Sequence, residues 1–125
     1  VLSVAHRDAV PAPQIVLTDR TQLVPVDALP PLAYDHAEIV AEAVGALRSE
    51  YERLPDPARL LDSPAGEDEL ADAFTIRDLR LLHERVLGRT LVADTFRRHM
   101  LENLEPTGVL RRGVRGKPAE LYRRR

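Results

Sequence analysis

The sequence predicts an α+β chain: a winged helix-turn-helix behind one long helix, with a short N-terminal β segment. Three observations predict it. Residues 74–91 read FTIRDLRLLHERVLGRTL, a capped amphipathic pattern that ends in a glycine turn. A second amphipathic pattern with paired arginines follows in residues 92–104. Residues 109–123 then read as two short strands around a basic turn.

The first helix of the motif begins at Thr75, an N-cap hydroxyl with Asp78 three residues on. Phe74 and Leu79 are placed to staple the entry. Ile76, Leu79, Leu82 and Val86 share one helical face. Gly88 stands where a left-handed C-terminal cap wants glycine. Two helices joined by a short turn containing glycine are the helix-turn-helix signature.

The second helix is expected over 92–104, with Ala93, Phe96, Met100 and Leu104 as its buried stripe. Asp94, Thr95, Arg98 and Glu102 point away from that stripe, and Arg97 and His99 flank it. In such units the second helix enters the major groove, leading with its N-terminal residues. The wing follows: a strand over 109–112, a turn over 113–118, and a return strand over 119–123. Its tip carries Arg115 and Lys117, and its strands carry Arg111, Arg112, Arg123 and Arg124. Candidate DNA-binding residues are therefore Arg89, Thr90, Thr95, Arg97, Arg98, His99, Arg111, Arg112, Arg115 and Lys117. Arg98 and Thr95 are expected to face the groove, with Arg97 nearer the backbone. Arg115 at a narrow tip suits either a minor groove or a phosphate clamp. The competing structural reading is two ordinary amphipathic helices and a solvated arginine run. The charge of the hairpin favours DNA over it.

Charge is distributed unevenly. Residues 1–88 hold 8 arginines against 16 acids, whereas residues 89–125 hold 10 Lys and Arg against 4 acids. A basic end on an acidic chain is the footprint of a nucleic-acid-binding surface. The 125 residues contain no cysteine, which excludes disulfides and thiolate metal sites. No apolar run approaches a membrane span, and the N-terminus lacks a signal-peptide pattern. These features fit a cytoplasmic protein, and a start at Val1 suggests a fragment or a processed chain.

Residues 1–31 read as extended. VLSVA, QIVLT and QLVPV are short β-branched runs, and Asp19, Arg20 and Thr21 could turn a hairpin. Five prolines limit them to edges or loops. Residues 32–54 read as a long helix with Asp35 as N-cap, Glu38 at N3, and Tyr34 with Ile39 as the staple. Val40, Val44, Leu47, Tyr51 and Leu54 form an apolar seam suited to helix packing, including a dimer. Pro55 and Pro57 end it. Asp35, His36 and Glu38 are metal-ligand types, but both acids have capping duties, so no metal site is assigned. His6, His83 and His99 are scattered and lack zinc spacing. Residues 56–73, including SPAGEDELADA, read as a mobile connector or a short helix. No serine sits in a G-x-S-x-G elbow, so no catalytic triad is expected.

Four strings, LAYDHAEIV, FTIRDLRLLHERVLGRTL, TFRRHML and GKPAELY, resemble in order the C-terminal part of the Nudix-related transcriptional regulators, the NrtR group. The resemblance covers residues 32–122, and LVPVDALP before it looks like the end of the Nudix domain of those proteins. It implies two parts: residues 1–31 as the remnant of a Nudix-like domain, and residues 32–125 as a winged helix DNA-binding domain. It also implies a homodimeric regulator of NAD metabolism on palindromic double-stranded operators. Any ADP-ribose-type effector would bind the missing Nudix-like domain, and no cofactor is expected on this chain. The departures are informative. The chain has no Nudix box, whose carboxylates would hold metal ions for diphosphate hydrolysis, so no enzymatic activity is expected of it. Thr95, Asp94 and His99 stand where the group often has Asn, a basic residue and Lys. Residues 67–72 look like an insertion. The alternative reading is a non-catalytic C-terminal dimerisation extension of a Nudix hydrolase of the ADP-ribose pyrophosphatase kind. A winged helix that binds only proteins is a further rival.

Overall fold

The structure, a computed structural model, describes residues 4–63, 68–112 and 116–125. Residues 4–35 hold two single 3-10 turns, Ala12–Gln14 and Val26–Ala28, and no strand among the described residues. The expected N-terminal β segment is therefore not formed. Each turn follows a proline, Pro11 or Pro25, in extended φ/ψ. Proline supplies no ladder donor, which breaks the runs that β-branched residues alone would favour. A turn does form around Asp19 and Arg20, closed by the Thr21 amide on the Thr18 carbonyl at 3.3 Å, but no ladder extends from it.

Helix α1 spans His36–Arg53. Asp35 is its N-cap residue, but no side chain caps it. The expected staple is also absent. Tyr34 has a left-handed φ of 54° and is 95% exposed, with its ring edge-on to His36 instead of against Ile39. Leu54 is extended, as a residue before proline must be, so the helix stops one residue short of the expected end. Val40, Val44 and Leu47 are half-buried, Tyr51 is buried, and Leu54 is exposed. The seam thus works over its middle. It packs beside α2, and its N-terminal half shares a groove with Val26 and Leu29 of the preceding segment.

Helix α2 spans Ile76–Leu87 and matches its predicted punctuation. The Thr75 hydroxyl accepts the Asp78 amide at 3.0 Å, and Gly88 closes the helix at φ 71°. Thr75→Ala should cost about 1 kcal/mol, the usual loss for an N-cap hydroxyl. Thermal unfolding would check it; an unchanged midpoint would mean water replaces the cap. The Asp78 carboxylate does not complete a capping box. It pairs with Arg111 of the hairpin.

Helix α3 covers Ala93–Met100, and a 3-10 turn, Leu101–Asn103, follows. It is shorter than expected, because Leu104 already opens strand β1, Leu104–Arg111. Pro106 lies just beyond and biases Glu105 toward extended backbone. Strand β2, Ala119–Arg124, pairs antiparallel with β1. The first strand therefore starts five residues earlier than read from the sequence. Its register is interrupted between Pro106 and Leu110, where Gly108 takes φ 78°. Beyond the far edge of β2, Phe74 and Tyr122 exchange both backbone bonds at 2.8 and 2.9 Å.

The core is one cluster: Phe74, Leu79, Phe96, Met100, Leu104 and Tyr122. Every element of the helix-turn-helix and the hairpin contributes to it. Phe96, Met100 and Leu104 are buried as expected, while Ala93 is exposed at the start of α3. No helix among the described residues is long and apolar enough to cross a membrane.

Candidate nucleic-acid interface

Burial of Phe96 and Met100 fixes the orientation of α3. At 100° per residue, Asp94 and Arg98 stand opposite that buried pair and Thr95 stands beside them. All three are exposed. Arg97 leans toward the hairpin, its guanidinium 3.5 Å from the Tyr122 hydroxyl, at the limit of hydrogen bonding. His99 leans the other way, its Nε2 3.1 Å from the backbone oxygen of Glu52 on α1. The α3 N-cap residue is Val92, and no side-chain cap bond forms there among the described residues. The first amides of a helix are natural acceptor sites for a phosphate.

Glu84 anchors the turn between α2 and α3. Its carboxylate accepts the Leu91 amide at 3.0 Å and an Arg80 guanidinium bond at 2.8 Å, while its carbonyl takes the Gly88 amide. The Leu91 amide first, and then Arg80, hold its carboxyl below the usual range. The turn between the helices is thus tied to the preceding one by a side chain.

The candidate cations divide into two sets. Arg98, Arg112 and Lys117 are exposed and make no ion pair among the described residues, and Arg97 makes only the long contact with Tyr122. The others are engaged within the chain. Arg89 meets Glu52 at 2.6 Å, and Arg111 meets Asp78. Thr90 is exposed on the turn, beside a cleft of about 430 Å³ between the last turn of α1 and the first turns of α3. Arg115, expected from the sequence at the wing's turn, lies outside the described residues.

Arg123 and Arg124, counted in the sequence among the wing's basic residues, face the body of the domain. Arg123 reaches the Glu69 carbonyl at 2.6 Å and Asp72 at 3.5 Å. Arg124 is a structural hub. Its guanidinium bonds Asp56 at 2.6 Å, Asp62 at 2.8 Å and the carbonyls of Pro55 and Asp56, and it lies 5.1 Å from the centre of the Phe74 ring. Successive residues of a strand point to opposite faces, so the two arginines reach the body at different places, Arg123 at Glu69 and Asp72 and Arg124 at Asp56 and Asp62. The charge of the hairpin is therefore split between two faces.

Opposite Arg124 is a buried polar network that the sequence reading missed. Asp56 has no exposed surface and a positive φ of 41°. Its carboxylate accepts four bonds: the Tyr51 hydroxyl, the amides of Leu60 and Leu61, and Arg124. Its own amide donates to His83 Nε2 at 3.1 Å. That donor fixes the His83 tautomer, so Nδ1 carries the proton and donates to the Tyr51 carbonyl at 2.9 Å. Burial first, with the acceptor role at Nε2, keeps His83 neutral and its pKa below the ordinary value. Burial and the bond to Asp56 push the Tyr51 phenol up. The His83 ring also meets Phe96 of α3 edge-on at 5.2 Å. This network locks the end of α1, the connector, α2 and β2 together, and so sets where α3 stands. A signal for His83 existed, because it lies four residues beyond Leu79, on the buried face of α2.

Comparison with known proteins agrees with this geometry. Residues 68–124 match the family model of the NrtR DNA-binding winged helix domain. The chain is similar to the crystal structure of Shewanella oneidensis NrtR complexed with a 27mer DNA. The TM-score is 0.56 at 30% identity, over 76% of this chain and 40% of that one. It is likewise similar to Shewanella oneidensis NrtR, with a TM-score of 0.55 at 30% identity, over 76% of this chain and 39% of that one. No curated protein sequence matches. Residues 68–124, which hold three of the four strings, are thus similar to the NrtR DNA-binding winged helix domain, and the chain spans about two fifths of those relatives' length.

Proposed function

We propose that the chain is the operator-binding part of a homodimeric transcriptional regulator, with α3 in the major groove and the hairpin alongside it. The observation that carries this reading is the outer face of α3. Thr95 and Arg98 stand clear of the core, beside a helix N-terminus without a side-chain cap among the described residues. Arg98 reads a base edge, Thr95 supports it, and Arg97, Arg112 and Lys117 hold phosphates. Thr90 lies at the approach to the groove. Residues 1–31 are the trailing part of a Nudix-like domain, residues 32–125 form the DNA-binding domain, and the chain itself catalyses nothing. By resemblance, the regulated genes concern NAD metabolism and the effector is an ADP-ribose-type ligand bound upstream. Such a protein works in the cytoplasm, where bacterial operators lie.

Selection from a random duplex pool at low salt, followed by titration of the recovered duplex, tests the reading. Two chains should bind one duplex with two half-sites about one helical turn apart. Arg98→Ala should lose about 1–3 kcal/mol of discrimination at one base pair, the worth of a bidentate guanidinium–guanine contact. Unchanged affinity and preference in that variant would remove Arg98 from the groove. Failure to recover any duplex would leave the winged helix as a protein-binding module.

A further inference from the structure

We propose that Glu52, on the last turn of α1, is a positioning residue that withholds Arg89 from DNA, so that the Glu52–Arg89 pair sets the grip of the helix-turn-helix. The inference rests on the DNA-binding reading above. Two contacts from this one residue reach the two ends of the candidate interface. The Glu52 carboxylate meets the Arg89 guanidinium at 2.6 Å, and its backbone oxygen lies 3.1 Å from His99 Nε2. Arg89 belongs to the turn before α3, and His99 to the last turn of α3. They flank the mouth of the cleft into which Thr95 also opens.

Arg89 is on the right element for a phosphate contact, because the turn between the two helices runs beside the groove edge. In this conformation its charge is already matched, and the matching carboxylate lies on the same side of the domain, where it would repel a phosphate. Both partners are about half exposed, at 52% and 51% of the side chain, so the pair is weak and open to competition. A weak pair is what a graded control needs, since a strong one would never release. The α1 helix enters from the N-terminal segment and is fixed to α2 near its end by the Arg48 guanidinium, which donates to the Val86 carbonyl at 3.0 Å. Tyr51, the residue before Glu52, is bonded to Asp56 and His83 and holds this end of α1 in place, so release is a side-chain event: rotation of the Glu52 carboxylate away from the turn frees the guanidinium. One arginine on each chain of a dimer would then become available to phosphate.

The test uses the whole chain and the recovered duplex. Glu52→Gln keeps shape and removes the charge. It should raise affinity several-fold and steepen the dependence of log K on log salt by about one unit per chain, the signature of one added phosphate contact. Arg89→Ala in the Glu52→Gln background should return both affinity and slope to the parental values. The unfolding midpoint of Glu52→Gln should match the parent, which separates this effect from a change of fold. A rise in affinity that survives removal of Arg89 would show only a general effect of charge and would overturn the inference. No change in affinity or slope would overturn it, and so would a fall, which would mean that Glu52 presents Arg89 to DNA. If the parental chain binds no duplex, the DNA-binding reading itself has failed.

Discussion

Replacing Asp56 with alanine should lower the unfolding free energy by about 3–5 kcal/mol, the usual result of deleting one partner of a buried ion pair. The magnitude follows from what is left behind. Arg124, only 13% exposed, would lose its closest carboxylate, and the Leu60 and Leu61 amides and the Tyr51 hydroxyl would lose their acceptor. Asn at this position keeps the shape and two or three of the bonds but not the charge, so it should fall between alanine and the parent. Urea unfolding measures the series. A loss below about 1 kcal/mol for alanine would mean that water or Asp62 takes over, and the network would be ornamental to stability.

His83→Leu should cost about 2–4 kcal/mol and remove a pH dependence. The Asp56 amide and the Tyr51 carbonyl would each lose a buried partner, at about 1–3 kcal/mol for an unsatisfied group, and leucine restores only part of the packing. The pH effect has a definite sign. The folded pKa of His83 lies below its unfolded value of about 6.5. Above about pH 6.5 both states are neutral and the full stability is present. As pH falls below that value, the unfolded chain takes up a proton that the native chain refuses. Stability then drops, by at most about 1.4 kcal/mol per pH unit, until the folded pKa is reached. Unfolding free energies measured between pH 7.5 and 5 should show this slope in the parent and a shallower one in His83→Leu. Equal slopes in both would place the responsible proton elsewhere.

The helix-turn-helix was legible because its local rules and its tertiary packing agree. Thr75, Gly88 and the spacing of Leu79, Phe96 and Met100 each specify the element they are found in. The N-terminal stretch was not legible as strands, since β-branched propensity there meets prolines that remove the donors a ladder needs. The polar network was hidden for a different reason. Asp56 read only as the first residue of the connector, and Arg124 as one more basic residue of a hairpin, 68 positions further along. Nothing local couples them. The pairing exists only once β2 lies against the connector. The same limit applied to the interface. Composition located the basic end of the chain, but only the packed structure separates Arg98 and Lys117, which face outward, from Arg89 and Arg111, which are matched by acids from α1 and α2.

The small sheet also carries its own protection against sticking to other sheets. Near Tyr122, strand β2 is occupied on both sides, by β1 and by Phe74, so it presents no free row of donors there. The outer edge of β1 is open along its length, and it is a poor template for another strand. Pro106 lacks a donor, and the irregularity around Gly108 breaks the repeat that a foreign strand would have to match. Edges interrupted in this way resist strand addition. Two copies sharing one duplex, as proposed above, would therefore lie near each other without zipping into a shared sheet.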